Sequence, residues 1–270
     1  MVIFPFCKIN LGLNIISKRP DGYHNLDTCF YPLPFYDVLE IVHADDFGCT
    51  VTGMAINGDT EDNLCVKAYR LLARHHDLPP VHIHLYKNIP SGAGLAGGSS
   101  DAAHTLLLLN RKFGLELDSG QLAAYALQLG SDCPFFIYDQ PMLGSGRGEV
   151  LSPVTVQLEA YTIVLVIPGI HVSTKEAFSG IVAQQPGAPI AGIITRPVEE
   201  WKNALVNDFE ATVFKQHPQL EVIKKTLYAT GALYASLTGT GSVVYGIFKK
   251  NAADNGVFEQ FNNAYRVVVI

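Results

Sequence analysis

The chain predicts an α+β fold arranged as two lobes. Apolar segments of period two interleave with segments of helical period, no internal repeat is present, and 270 residues at 48% hydrophobic suffice for two modest cores. Residues 139–153, rich in Gly, Pro, Ser and Asp, place the boundary near Pro153, giving an N-terminal lobe of residues 1–153 and a C-terminal lobe of residues 154–270.

The elements follow in order. Cys7 to Ile16 and Asp37 to Val42 read as extended segments. Asn63 to His75 reads as a helix, because Leu64, Ala68, Leu71 and Leu72 recur near the helical period and Pro79-Pro80 close the turn that follows. Val81 to Tyr86 alternates as a strand, and a helix then runs from near Ser100 to Phe113 with Gly114 just past its end. Asp118, three residues before Gln121, forms an acidic capping box for the helix that ends at Gly130. Tyr161 to Ile167, bounded by Pro168-Gly169, reads as a strand buried on both faces, and Pro218 to Ala229 as a helix with Pro at its start and Gly231 beyond its end. Val243 to Phe248 and Arg266 to Ile270 read as strands separated by a helix around Ala253 to Phe261.

A formal charge of -6 disfavours general affinity for nucleic acid or anionic membranes, so a polyphosphate ligand has to be neutralised locally. The N-terminus carries no signal-like apolar run and no stretch approaches the ~18 residues of a membrane span, which makes a cytoplasmic location the simplest expectation. Five scattered cysteines without a Cys-x-x-Cys pair suggest reduced thiols, and the nine histidines lack the spacing of a metal site, so no metal-ligating residue is assigned.

Residues 90–103, Pro-Ser-Gly-Ala-Gly-Leu-Ala-Gly-Gly-Ser-Ser-Asp-Ala-Ala, open directly onto a helix. Such a junction suits phosphate: glycines let the backbone approach an anion, and the N–H groups of the first turn point at it. Ser99, Ser100 and Asp101 are the candidate N-cap oxygens. Gly92 to Ser99 has the glycine spacing of a Walker A loop, but Gly98 stands where lysine is required, so the loop lacks its own cation. A dinucleotide fingerprint fits less well, because Lys87-Asn-Ile-Pro-Ser intervenes after the strand and the acidic Glu116 and Asp118 sit in a helix-to-helix connection.

Four more segments accompany the loop: Lys8-Ile-Asn10-Leu, Lys18-Arg-Pro-Asp-Gly-Tyr23-His24, Leu129-Gly-Ser-Asp132-Cys-Pro-Phe-Phe and Thr238-Gly-Thr-Gly-Ser242. In that order, and over essentially the whole length, the chain resembles the GHMP small-molecule kinases. The resemblance implies a ribosomal-protein-S5-domain-2-like first lobe and a ferredoxin-like second. Through the Asp-Gly-Tyr-His and Gly-Ser-Asp segments it also implies ATP-dependent phosphorylation of the 2-hydroxyl of a cytidine-diphosphate-linked methylerythritol, a step of mevalonate-independent isoprenoid synthesis. ATP is the implied co-substrate, with Mg2+ arriving on its phosphates. The expected partner is thus a small molecule with a cytidine diphosphate moiety, not nucleic acid or membrane; oligomeric state is left open.

Carried over residue by residue, the resemblance makes Asp132 the base beside the accepting hydroxyl and Lys8 the catalytic cation missing from the loop. The ATP site would comprise Pro90, Ser91, Gly92, Ala93, Gly94, Leu95, Ala96, Gly97, Gly98, Ser99 and Ser100, with Asn63 and Lys87 near the adenine; Asn63 equally reads as a helix cap. Tyr23 and Phe178 would stack on the two faces of the cytosine, His24 would bond its edge, and Asn10 and Thr174 would lie near the substrate. Two spellings depart from the family. Ala96 replaces a common glycine, acceptable only with a negative φ, and Thr238-Gly-Thr-Gly replaces the commoner serine-glycine repeat of a turn that closes the phosphate end or simply joins two elements. A GHMP kinase acting on homoserine, a mevalonate-type alcohol or a sugar is the alternative, followed by a non-catalytic nucleotide- or RNA-binding module.

Overall fold

The computed structural model describes all residues except 57, 186, 251–259 and 262–263. In chain order the first half contains β1 (Val2–Ile3), β2 (Phe6–Lys18), β3 (His24–Tyr36), β4 (Val38–His43), β5 (Gly48–Gly53), α1 (Leu64–Ala73), β6 (Val81–Lys87), α2 (Gly97–Phe113) and α3 (Ser119–Leu129). After a 3-10 turn (Cys133–Ile137) come β7 (Met142–Ser145), β8 (Val150–Pro153), β9 (Tyr161–Ile167), α4 (Thr174–Phe178), α5 (Ile190–Ile193), α6 (Phe209–Gln216), α7 (Pro218–Ala229), β10 (Tyr234–Leu237), β11 (Val244–Lys249) and β12 (Arg266–Val269). The mixed α+β content agrees with the pattern read from the sequence, and among the described residues no helix is long and apolar enough to cross a membrane.

Two compact units result. One comprises Met1–Lys8, Pro32–Ser91 and Ala96–Gln140; the other comprises Ile9–Tyr31, Gly92–Leu95 and Pro141–Ile270. A single cut at Pro153 does not reproduce them. β2 and β3 each continue from one unit into the other, and the turn-rich stretch at 139–153 folds as the β7–β8 hairpin, whose first strand pairs with β3 through Cys29 and Leu143. Turn formers marked a hairpin, which composition cannot tell from a linker.

In the first unit the sheet runs β1-β4-β6-β5, antiparallel except for the parallel β5–β6 pair. Strand alternation sends Val81, Ile83 and Leu85 inward while His82, His84 and Tyr86 face outward. α2 packs against β1, β4, α1 and α3, which fixes its first turn at the end of the loop that leaves β6. α2 starts at Gly97, three residues before the expected position, and ends as expected at Gly114 in the left-handed conformation. Its cap position is Ala96 at φ +55°, so the condition of a negative φ is not met and the methyl is carried at a cost of about 1–2 kcal/mol. Ser99, Ser100 and Asp101 lie inside the first turns and do not cap. α3 begins with the reciprocal Asp118–Gln121 capping box.

In the second unit the antiparallel sheet β10-β11-β9-β12 carries α6 and α7, whose Phe209, Val213, Leu220, Ile223 and Leu227 join Val164, Val166, Val244 and Phe248 in one core. Leu13 and Ile15 from β2 enter the same core. The helix expected around Ala253 to Phe261 falls almost wholly outside the described residues. All five cysteines are free thiols.

Candidate active site

The glycine loop is shaped by backbone that only glycine tolerates. Gly92 and Gly94 hold φ of +64° and +80°, and a Cβ on Gly94 would collide with the Thr238 carbonyl oxygen. Residues 92–95 are seated against the turn after β10: Thr238 Oγ1 donates to the Gly94 carbonyl at 3.2 Å, and the Val243 N–H donates to that of Ala93 at 3.2 Å. The Thr-Gly-Thr-Gly segment thus braces the loop. In the first unit, the opening N–H groups of α2, at Gly97, Gly98 and Ser99, precede the first intrahelical bond, donated by Ser100 to Ala96 at 3.0 Å. They form an anion cradle at the positive end of a helix of 17 residues.

Beside this helix start lies a cavity of about 490 Å³, within the range of small-ligand sites. Val51, Ile56 and Leu64 give it apolar walls, and Asn63, Ser91 and Gly98 supply polar edges. Asn63 lines the cavity and also acts as the helix cap expected of it, its Oδ1 accepting from the Cys65 N–H at 2.8 Å. Lys87 also lines the cavity, but its ammonium is fully buried and donates to Asp37 Oδ2 and, at 2.6 Å, to Asp101 Oδ2. Burial works against the Lys87 charge, yet Asp101 and Asp37 outweigh it and hold its pKa above normal. Asp37 is satisfied further by the N–H groups of Asn88 and Ile89. Asp101 is not: its Oδ1 is buried without a hydrogen-bond partner among the described residues, and burial, reinforced by the Asp37 charge against the pull of Lys87, pushes its pKa up to about 8. Residues 37, 87 and 101 carry no sequence signal of this association, because sheet pairing and helix packing bring them together.

The Lys8 and Asp132 side chains lie together in the same unit. Lys8 is 3% exposed at the end of that unit's first segment, and its Nζ is 3.6 Å from Asp132 Oδ2. Burial lowers the Lys8 pKa, with Asp132 opposing the shift. Asp132 makes no side-chain cap to the 3-10 turn that follows, while Cys133, Pro134, Phe135 and Phe136 of that turn are buried. An apolar anchor therefore fixes a carboxylate that is itself 35% accessible. The pair can offer an ammonium and a proton acceptor to one reacting hydroxyl.

Asn10, Tyr23, His24, Thr174 and Phe178 all belong to the second unit. Asn10 is buried in a network, its amide donating to Thr28 Oγ1 at 2.9 Å and its backbone N–H to Thr238 Oγ1 at 3.1 Å. Thr174 opens α4, capped by Ser173, and Phe178 closes it. The aromatic arrangement differs from two planes facing across an open slot. His24 itself stacks on Phe178, with centroids 4.7 Å apart and planes at 18°, and Phe209 meets Phe178 edge-on. Tyr23 is 54% exposed, and the Arg147 guanidinium lies 4.9 Å from its ring centre. Burial, with a contribution from Lys18, lowers the His24 pKa and favours a neutral ring that offers one donor and one acceptor. Arg147 lies in a Gly-Arg-Gly-Glu turn and is partly exposed.

A nucleotide-sized cavity at a glycine-framed helix start, with a lysine–aspartate pair in the same unit, defines a small-molecule kinase scaffold. Residues 63–140 match the GHMP kinases N terminal domain and residues 190–267 the GHMP kinases C terminal domain; the chain belongs to the GHMP kinases. It is 54% identical over 252 residues, 92% of each chain, to the 4-diphosphocytidyl-2-C-methyl-D-erythritol kinase of Bacteroides fragilis, and 49% identical over 92% of each chain to that of Cytophaga hutchinsonii. The crystal structure of a 4-(cytidine 5'-diphospho)-2C-methyl-D-erythritol kinase superimposes with a TM-score of 0.85 at 29% identity, covering 100% of this chain and 98% of that one. The Methanococcus jannaschii mevalonate kinase shares the fold, with a TM-score of 0.75 at 14% identity over 100% of this chain and 97% of that one.

Proposed function

We infer that the chain transfers the γ-phosphoryl group of ATP to the 2-hydroxyl of 4-diphosphocytidyl-2-C-methyl-D-erythritol, in the mevalonate-independent route to isoprenoid precursors. The observation that carries the chemistry is the buried Lys8 ammonium 3.6 Å from the accessible Asp132 carboxylate. The choice of substrate is supported by relatives of that name at 54% and 49% identity.

In this reading Asp132 orients the hydroxyl and takes its proton as the oxygen–phosphorus bond forms and the bond from the γ-phosphorus to the bridging oxygen breaks, leaving ADP. Lys8, desolvated and pre-positioned, balances the charge that spreads over the transferred group. Ser91 to Ser100, following Pro90, hold the phosphates through backbone N–H groups, and the cavity edged by Asn63 takes the base. Mg2+ bound with ATP would supply further neutralisation of charge on its phosphates. Lys87, with its ammonium occupied, contributes by shaping the cavity wall. Asn10 and Thr174 line the substrate side. Tyr23 supplies a stacking plane for cytosine, Phe178 backs the His24 ring that stacks on it, and a neutral His24 matches a base edge that presents a donor beside an acceptor.

Incubating the protein with labelled ATP and a panel of alcohols tests this reading. Phosphate transfer to the cytidylated methylerythritol should exceed transfer to homoserine or mevalonate by at least about 10⁴-fold, the discrimination a site with dedicated polar contacts achieves. Comparable rates would discard the substrate and leave a kinase of other specificity.

A further inference from the structure

We propose that Arg147 is a substrate-binding residue, its guanidinium taking a phosphate of the cytidine diphosphate half of the substrate while its plane covers one face of Tyr23. The proposal rests on the reading of Tyr23 and His24 as the cytidine subsite. Arg147 sits in the β7–β8 turn between Gly146 and Gly148, both at positive φ, and the Leu26 N–H donates to the Gly146 carbonyl at 2.7 Å. That bond ties the turn to β3 two residues beyond His24. Glu149 accepts from the Arg147 backbone N–H and, at 3.4 Å, from Nε. It fixes the base of the fork, and the two terminal nitrogens keep no hydrogen-bond or ion-pair partner among the described residues.

The neighbouring Arg19 differs, because Asp21 and Asn25 already engage it. In a chain of net charge -6, an arginine held over an exposed tyrosine with its planar donors unspent is matched to a diphosphate, which accepts two parallel N–H bonds. Tyr23 is 54% exposed with the guanidinium over its ring, which leaves ring surface for the base. Base and phosphate recognition would then meet at a single tyrosine.

Binding of CDP and of cytidine to the wild type and to Arg147→Met, measured by calorimetry, tests the assignment. The wild type should bind CDP more tightly than cytidine, with the excess shrinking as salt is added. Arg147→Met should weaken CDP by about tenfold, the scale of one charge-assisted contact, and cytidine by less than about twofold. The KM for the cytidylated substrate should rise while kcat stays within about twofold. Equal wild-type affinities overturn the proposal whether or not the variant folds. An unchanged CDP affinity in the variant also overturns it, transferring the phosphate contact to a cation such as Lys18, and so does a parallel loss of both ligands, which would make Arg147 only a support for Tyr23. A wild-type chain that binds neither ligand removes the cytidine subsite and the proposal together.

Discussion

Two buried lysines of the same unit show how the setting of a neighbouring carboxylate decides what burial does to an ammonium. Lys8 lies 3.6 Å from the Asp132 carboxylate, which is 35% accessible, and burial drives its pKa down. Lys87 lies between two buried carboxylates in direct contact, and its pKa is held up. Burial disfavours the charge of the first, which sits beside a carboxylate open to solvent. The second has spent its charge on tying the end of β6 to α2 and to Asp37 at the β3–β4 junction.

The strongest test of this contrast is Asp132→Asn. Turnover should fall about 10²–10⁴-fold, as expected for loss of a general base, while ATP affinity stays within about twofold. Retained turnover would remove the carboxylate from the reaction. Lys87→Met should act on stability instead, costing about 3–5 kcal/mol by denaturant unfolding, because it leaves two carboxylates buried without their cation. A loss no larger than that of a surface substitution would show that the ion triad is not a structural tie.

Asp101→Asn sharpens the comparison through pH. A carboxyl whose pKa is raised to about 8 in the fold, against about 3.9 when unfolded, binds more protons in the native state. Its contribution is present below about pH 4 and is lost as pH rises toward 8. The variant lacks that loss, so its thermal midpoint should gain on the wild type between pH 5 and about 8; parallel curves would place the proton elsewhere. The smallest expected effect is that of Ala96→Gly. Relief at φ +55° is offset by greater freedom of the unfolded chain, so stability measured by denaturant unfolding should rise by less than about 1 kcal/mol.

Much of this architecture was legible because its signals are local. Helical periodicity and capping located Pro218–Ala229 and the Asp118–Gln121 box, and glycine density located the loop against which Thr238 packs. The start of α2 was misplaced because Ser99, Ser100 and Asp101 look like caps. Ser100 Oγ instead approaches His104 Nδ1, and Asp101 turns to Lys87. The side chain of Asp132 was paired with that of Lys8 through family resemblance, since nothing in a spacing of over a hundred residues suggests contact. The association of Asp37 with Asp101 stayed hidden for the same reason: their common partner, Lys87, comes from another element. The stacking of His24 on Phe178 also lay beyond sequence, because it depends on side-chain rotamers.

The interleaving of the two units bears on how the chain is made. The Asn10 carbonyl accepts from the Tyr245 hydroxyl, 235 positions later, and Leu13 and Ile15 share a core with Phe248. On a ribosome, this apolar strand must wait for some 235 further residues before its burial partners exist. Nascent protein with that strand still bare is the species most exposed to chaperones and to aggregation. Synthesis slowed late in the message should therefore lower soluble yield more than synthesis slowed early.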